Sequence, residues 1–296
     1  MAIVQVSDYA LSRLGRGASG SVHSVFSTSL NVMLDGFLLH MGSCEAPLSC
    51  LGATLPANQI AELLAVTERG DRALYRNGVL RIYSRAHVSE FALGSAPLRS
   101  RCVGGPIAEG LDGFDADLLR ELRALGLPER TGLPWPDRSR GAVAALARFS
   151  AMCMRAQEQG RPRDAAATES AARAMRGAVD YLMGRGLGLT PSGDDVLTGF
   201  GTALRFLYCG DVSNVGQPFF KAVSDTVPGK TTAVSEAYYQ AMVDGYANDD
   251  CLALLEVIGR GDAEALPGAL RRVLELGHTS GADSLLGVGA AFCCLY

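Results

Sequence analysis

Two short glycine-rich segments hold most of the residues in this chain whose types and spacing suit chemistry. The first reads Gly186-Leu-Gly-Leu-Thr-Pro-Ser-Gly-Asp-Asp-Val-Leu-Thr-Gly-Phe200, and the second Gly277-His-Thr-Ser-Gly-Ala-Asp-Ser-Leu-Leu-Gly287. Both contain Gly-x-Asp-x-Leu-x-Gly: Gly193, Asp195, Leu197 and Gly199 in one, Gly281, Asp283, Leu285 and Gly287 in the other. Each has a threonine shortly before, Thr190 and Thr279, with one extra residue in the first segment. Glycines such as Gly186, Gly188 and Gly193 permit backbone shapes and close approaches that a side chain blocks. Hydroxyls at Thr190, Ser192, Thr279 and Ser280, with the free N–H groups of a helix start, make a cradle for a phosphate or carboxylate.

Asp194 and Asp195 fall where a helix should begin, a place that favours carboxylates through capping and the helix dipole. As an adjacent pair they also suit a hard cation such as Mg²⁺, which would bring a phosphate with it. An N-cap with a glycine hinge accounts for one such segment, and chance or old duplication can produce two. Two helices that begin alike, each with small residues one turn in, can instead pack side by side with both N-termini facing one pocket. That reading makes Asp194, Asp195, His278 and Asp283 the candidate catalytic groups. Gly188, Thr190, Ser192, Gly193, Thr279, Ser280 and Gly281 become candidate ligands for a small anion.

His278 precedes the pair Thr279-Ser280, where an imidazole can donate to an oxyanion or act as a general acid. A structural histidine bonding a carbonyl is the plainer alternative. His23, His40 and His87 lie in strand-like segments and read as structural. Pro228-Gly-Lys-Thr-Thr232 resembles the end of a phosphate-binding loop, but Ser224 stands where its first glycine belongs,. A simpler role remains: Thr231 and Thr232 cap a helix, and Lys230 reaches an anion. There is no G-x-S-x-G elbow, no HExxH and no strand-anchored GxGxxG,.

The elements around these segments change character along the chain. Ser21–Ser27 is a short β-compatible run. Asp35-Gly36 and Asn77-Gly78 each sit between apolar runs, the signal for a hairpin,. From about Asp115 the apolar period becomes helical, with Leu118, Leu119, Leu122 and Leu125 at three- and four-residue spacing,. Further helices are expected over Ser139–Gln159, Asp164–Arg185, Asp195–Tyr208, Thr231–Gly245, Asp249–Ile258, Asp262–Leu276 and Asp283–Leu295. The expected architecture is α+β. A β-rich part over 1–112, with hairpins in a small barrel or sandwich, precedes an all-helical part over 113–296 that carries both motifs.

Composition narrows the function classes. The 296 residues are 48% hydrophobic and 20% charged, a globular balance,. A net charge of −4 argues against broad nucleic-acid binding, which needs a basic surface,. Arginines outnumber lysines 25 to two, yet no arginine stands out as an anion ligand. The eight cysteines form no CxxC and no zinc spacing with histidine, so buried, reduced thiols in a cytoplasm are expected,. No signal peptide and no membrane span is evident; Leu285–Tyr296 reads as a buried terminal helix,.

The run Gly188-Leu-Thr-Pro-Ser-Gly-Asp-Asp195, with Gly277-His-Thr-Ser-Gly281 and Asp283, resembles the signature of the AllH-like family, a bacterial domain of unknown function. Members are associated with oxamate carbamoyltransferase in allantoin breakdown, and some have carried the label of carboxylase. The resemblance runs through most of the chain. It implies a subunit of a multi-protein transferase that exchanges a carbamoyl group between oxamate and phosphate, giving carbamoyl phosphate. The Ser-Thr-Arg-Thr phosphate loop of ordinary transcarbamoylases is missing, so the site design must differ. Two other readings stand beside it. One is a nucleotide- or phosphate-binding enzyme using Mg²⁺ at Asp194, Asp195 and Asp283. The other is a non-catalytic scaffold subunit that binds a metabolite and leaves the chemistry to partner chains.

Overall fold

A computed structural model describes residues 4–85, 87–105, 114–135, 137–159, 165–208 and 216–293. The boundary expected at 112/113 lies outside these residues, as do Cys209 and Cys294. The chain separates into two compact units, one over Met1–Cys102 with Tyr246–Asp249 and one over Val103–Gly245 with Asp250–Tyr296.

The first unit is a curled nine-stranded sheet, a half-barrel. Its strands are β1 (Gln5–Ser7), β2 (Gly17–Val25), β3 (Ser29–Leu34), β4 (Phe37–Ser43), β5 (Gly52–Leu55), β6 (Arg72–Arg76), β7 (Val79–Tyr83), β8 (Val88–Ala92) and β9 (Leu98–Arg99). Their order is β8-β7-β6-β2-β3-β4-β5-β1-β9. The pairs β4–β5 and β1–β9 are parallel and the rest antiparallel. Both expected hairpins form. Asp35 and Gly36 join β3 to β4 with φ of 44° and 85°, and Asn77 and Gly78 join β6 to β7 with φ of 51° and 80°. Consecutive positive φ is the turn that matches the twist of the flanking strands. Strand β8 alternates exposed and buried residues, with Ser89 and Phe91 inward, while β5 is buried throughout. Two helices, α1 (Asp8–Leu14) and α2 (Ala57–Val66), are set into this unit.

The second unit is helical: α3 (Phe114–Ala124), α4 (Asp137–Gln159), α5 (Ala165–Leu182), α6 (Ser192–Leu207), α7 (Gln217–Thr226), α8 (Ala233–Val243), α9 (Asp249–Gly259), α10 (Leu266–Leu274) and α11 (Ser280–Ala291). Helices α6 and α11 form its centre. Ten of the twelve residues of α11 are buried, and only four of the sixteen in α6 have more than slight exposure. Their axes approach so closely that backbone meets backbone. A Cβ on Gly199 would stand 2.2 Å from the Ser284 carbonyl oxygen, and one on Gly287 would stand 2.0 Å from that of Val196. The small residues one turn into each motif are therefore a packing requirement.

No helix among the described residues is long and apolar enough to cross a membrane. Among the described cysteines no disulfide forms; Cys50 and Cys153 are buried but Cys44 and Cys102 exposed, so burial holds for only part of the expected set.

Candidate functional site

The two motifs come together at the N-terminal ends of α6 and α11. Ser192 is the first residue of α6 and Ser280 the first of α11. The Ser192 hydroxyl lies 3.4 Å from that of Thr279, and the Thr190 hydroxyl 3.4 Å from that of Ser280. Each helix thus meets the other's threonine through its opening serine. Pro191 and Thr279 precede the two helices, and neither caps its helix through a side chain.

Four hydroxyls and two carboxyl groups line this junction. Asp283 is fully buried. Its Oδ1 accepts from the Thr131 hydroxyl at 2.5 Å and the Gly132 N–H at 3.2 Å. Its Oδ2 is buried with no hydrogen-bond partner among the described residues, and so is Oδ2 of Asp195. Burial pushes the Asp195 carboxyl well above the usual carboxylate range; the Ser280 hydroxyl opposes this, the charges of Asp283 and Asp194 add to it, and the Thr190 hydroxyl opposes it. Burial likewise raises the Asp283 carboxyl, against the hydroxyls of Thr131, Ser192 and Thr279 and the Gly132 N–H. Enclosed oxygens of this kind cost about 1–3 kcal/mol each, and more when charged.

The backbone contributes less than the sequence suggests. The N–H of Gly193 donates to the Arg185 carbonyl at 2.8 Å, and that of Gly281 to Leu276 at 3.0 Å. Asp194 and Asp195 N–H groups go to Pro191, and Asp283 N–H to Thr279. Gly193 and Gly281 serve close packing, their Cβ positions falling 1.9 Å from the Leu182 oxygen and 2.1 Å from the Val273 oxygen. The junction is therefore rich in acceptors and hydroxyls and poor in free N–H groups.

Asp194 faces away from this cluster into the protein. Its Oδ1 accepts from the Gly184 N–H at 2.7 Å and the Tyr239 hydroxyl at 2.8 Å, and its Oδ2 from the Thr231 hydroxyl. Burial, with the Asp194 charge and hydrogen bond, holds the Tyr239 phenol well above its usual range, so it remains a donor. Three donors tie this carboxylate in as the knot between α6, α8 and the turn at Gly184. Of the adjacent pair, Asp195 is the member left at the junction.

The segment 228–232 is led into by α7 and not by a strand. Thr232 caps α8 by accepting from the Ser235 N–H at 3.1 Å and donates to the Leu189 carbonyl. Lys230 is exposed, with its ammonium 2.9 Å from Asp180. His278 is exposed on the turn before α11. Gly188 has a φ of 93° in the exposed loop that carries Leu187, 93% exposed, and Leu189.

Thr131 and Gly132 were not visible as site residues from their own neighbourhood. They sit in the Pro-punctuated loop after α3, and a Cβ on Gly132 would lie 2.2 Å from the Ser192 hydroxyl and 3.0 Å from that of Thr279. Arg185 lies in the turn between α5 and α6. Its guanidinium stacks 4.0 Å over the Tyr181 ring while its carbonyl receives Gly193.

Comparison with known proteins falls on this part of the chain. Residues 182–292 match the family described as oxamate carbamoyltransferase subunit AllH. The match opens at the end of α5, takes in both glycine-rich motifs, and closes just past α11. The matched stretch thus coincides with the paired helix starts. No solved structure matches the chain. Among the described residues, no group of three or more histidine, cysteine, aspartate or glutamate side chains is placed to hold a metal ion.

Proposed function

We propose that this chain is a subunit of an oxamate carbamoyltransferase-like enzyme and that the α6–α11 junction binds its small anionic substrates. The observation that carries this is the coincidence of the AllH match with the junction: the matched residues 182–292 include both paired helix starts. In the reaction, a carbamoyl group on the nitrogen of oxamate passes to a phosphate oxygen. The C–N bond breaks, a C–O bond forms, and the departing nitrogen takes a proton, leaving oxamate and carbamoyl phosphate.

The residues present support particular roles. Hydroxyls of Thr190, Ser192, Thr279 and Ser280 are donors for phosphate or carboxylate oxygens, and both helix dipoles favour negative charge here by about 0.3–1 kcal/mol each. His278, on the exposed turn, is the imidazole available to move the proton. The exposed loop with Leu187 supports completion of the site by another subunit, in keeping with a family described as an enzyme subunit.

The test is turnover by the assembled enzyme: carbamoyl phosphate and oxamate against the chain purified with its co-purifying subunits, followed by phosphate release. Oxamate-dependent release that drops at least 100-fold in Ser192→Ala plus Ser280→Ala supports the reading. Equal release by enzyme lacking this chain sinks it. A metabolite-binding scaffold remains the second reading, favoured by the short supply of free N–H groups; it predicts that His278→Ala leaves kcat unchanged.

A further inference from the structure

We infer that the α6–α11 junction holds one hard divalent cation, Mg²⁺ in kind, between Asp195 and Asp283, with the surrounding hydroxyls and the substrate's anionic oxygens completing its shell. The inference rests on the reading of this junction as the substrate site and names what lets it hold an anion.

The starting point is a mismatch in the site's own chemistry. Asp283 is entirely enclosed and Asp195 half-buried, and each keeps one buried carboxyl oxygen with no partner among the described residues. Four hydroxyls surround them, each able to donate only one hydrogen, and one Asp283 oxygen already takes Thr131 and Gly132. The N–H groups that would make an anion cradle are mostly spent on carbonyls. A site so composed lacks positive charge. An added anion alone would worsen that shortage, whereas a cation removes it and supplies the anion's partner.

The donor set selects the cation. The hydroxyls and carboxyls at the junction are hard oxygens, and among the described residues no histidine or cysteine joins the two carboxyls in a cluster of three. That excludes the tetrahedral nitrogen–sulfur sites suited to zinc. Magnesium differs in needing only one or two protein carboxylates, because it keeps water and takes substrate phosphate oxygens. Asp194 is engaged elsewhere, by the Gly184 N–H and the Tyr239 and Thr231 hydroxyls. The neighbouring groups fit the same account: hydroxyls tolerate either role, donating to an anion or offering a lone pair to a metal.

The full chain, stripped with EDTA and titrated with Mn²⁺ at pH 7.5, tests this by the electron paramagnetic resonance of free Mn²⁺. One Mn²⁺ per chain should bind, with Mg²⁺ displacing it. Binding should weaken at least 100-fold in Asp195→Asn and in Asp283→Asn, and stay intact in Asp180→Asn. Circular dichroism establishes that each variant is folded. Because the wild-type titration stands by itself, a variant that does not fold leaves the inference exposed to refutation. No Mn²⁺ bound by the wild type overturns it, as does binding that persists in both variants; a carboxyl pair satisfied by a proton would give the former. Neither result touches the carbamoyl-transfer reading, which stands or falls on turnover.

Discussion

Asp195 and Asp283 are each the fourth residue of their helix, and each lies beside the hydroxyl that opens the other one: Ser280 beside Asp195, Ser192 beside Asp283. This exchange follows from the offset between the motifs. Ser192, Gly193, Asp195, Gly199 and their counterparts Ser280, Gly281, Asp283, Gly287 keep one register, so the helices meet as near-equivalents. Backbone contact at Gly199 and Gly287 then fixes how far apart the two carboxyl groups can stand. Chemistry at the junction and packing one turn below it are thus set by the same sequence repeat.

The packing half of that statement is testable by adding single methyl groups. Gly199→Ala and Gly287→Ala each place a carbon about 2 Å from a backbone carbonyl oxygen that has no rotamer with which to yield. Each should cost upwards of about 3 kcal/mol, the upper end for overpacking a core. Gly177→Ala in α5 is the matched control, because nothing lies within 4 Å of its Cβ position. There the better helix propensity should leave stability unchanged or raise it by about 0.5–1 kcal/mol. Urea midpoints for the three variants decide the matter, and equal midpoints would contradict the close-packed pair.

The knot at Asp194 makes a second prediction. Asp194→Ala removes the acceptor for Gly184, Thr231 and Tyr239 at once. Buried donors left without partners cost about 1–3 kcal/mol each, so the loss should reach about 3 kcal/mol or more. Tyr239→Phe and Thr231→Val each remove one donor and should cost about 1–2 kcal/mol. Chemical denaturation of the two single variants and their double mutant should show coupling, since both donors share one carboxylate. Strictly additive costs would mean that Asp194 is not their common acceptor in solution.

Legibility in the sequence followed the range of the interaction. Asp35-Gly36 and Asn77-Gly78 announce their hairpins because the positive φ is local to those residues. The helix starts were legible from a repeated spacing, although α6 begins at Ser192, three residues ahead of Asp195, with both aspartates inside its first turn. Thr131 and Gly132 were not legible, because their partner Asp283 lies about 150 residues away and nothing in a proline-punctuated loop encodes it. The spent N–H groups were hidden for a related reason: their acceptors, at Arg185 and Leu276, belong to the preceding turns. Helices α1 and α2 went unread inside a segment dominated by strand signals.

The first unit offers a pH test independent of the junction. His40 on β4 has Nδ1 2.9 Å from Asn31 Oδ1 on β3, and burial lowers its pKa from 6.5 to about 4. A folded-state pKa below the unfolded one means that the unfolded chain binds the proton more readily. The stability contributed by the neutral ring is therefore full above pH 6.5 and is lost as pH falls from there toward 4. His40→Gln keeps a donor for Asn31 and removes the titration. Urea midpoints measured from pH 7.5 to 5 should fall more steeply for the wild type than for this variant; parallel curves would place the ring in water.

Gly132→Ala separates a site effect from a stability effect. The added carbon would press on the Ser192 and Thr279 hydroxyls, but a serine hydroxyl can rotate away where a backbone carbonyl cannot. The cost to folding should therefore stay near or below about 1 kcal/mol, the lower range for a crowded but yielding contact. Rotation of Ser192 would nevertheless break its contact with Thr279 and withdraw a hydroxyl from Asp283, and the shifted loop would loosen the Gly132 N–H bond as well. The expected signature is a urea midpoint close to that of the wild type with Mn²⁺ binding weakened about tenfold. A variant that binds Mn²⁺ normally while losing much stability would show that the loop braces the fold and leaves the junction unaffected.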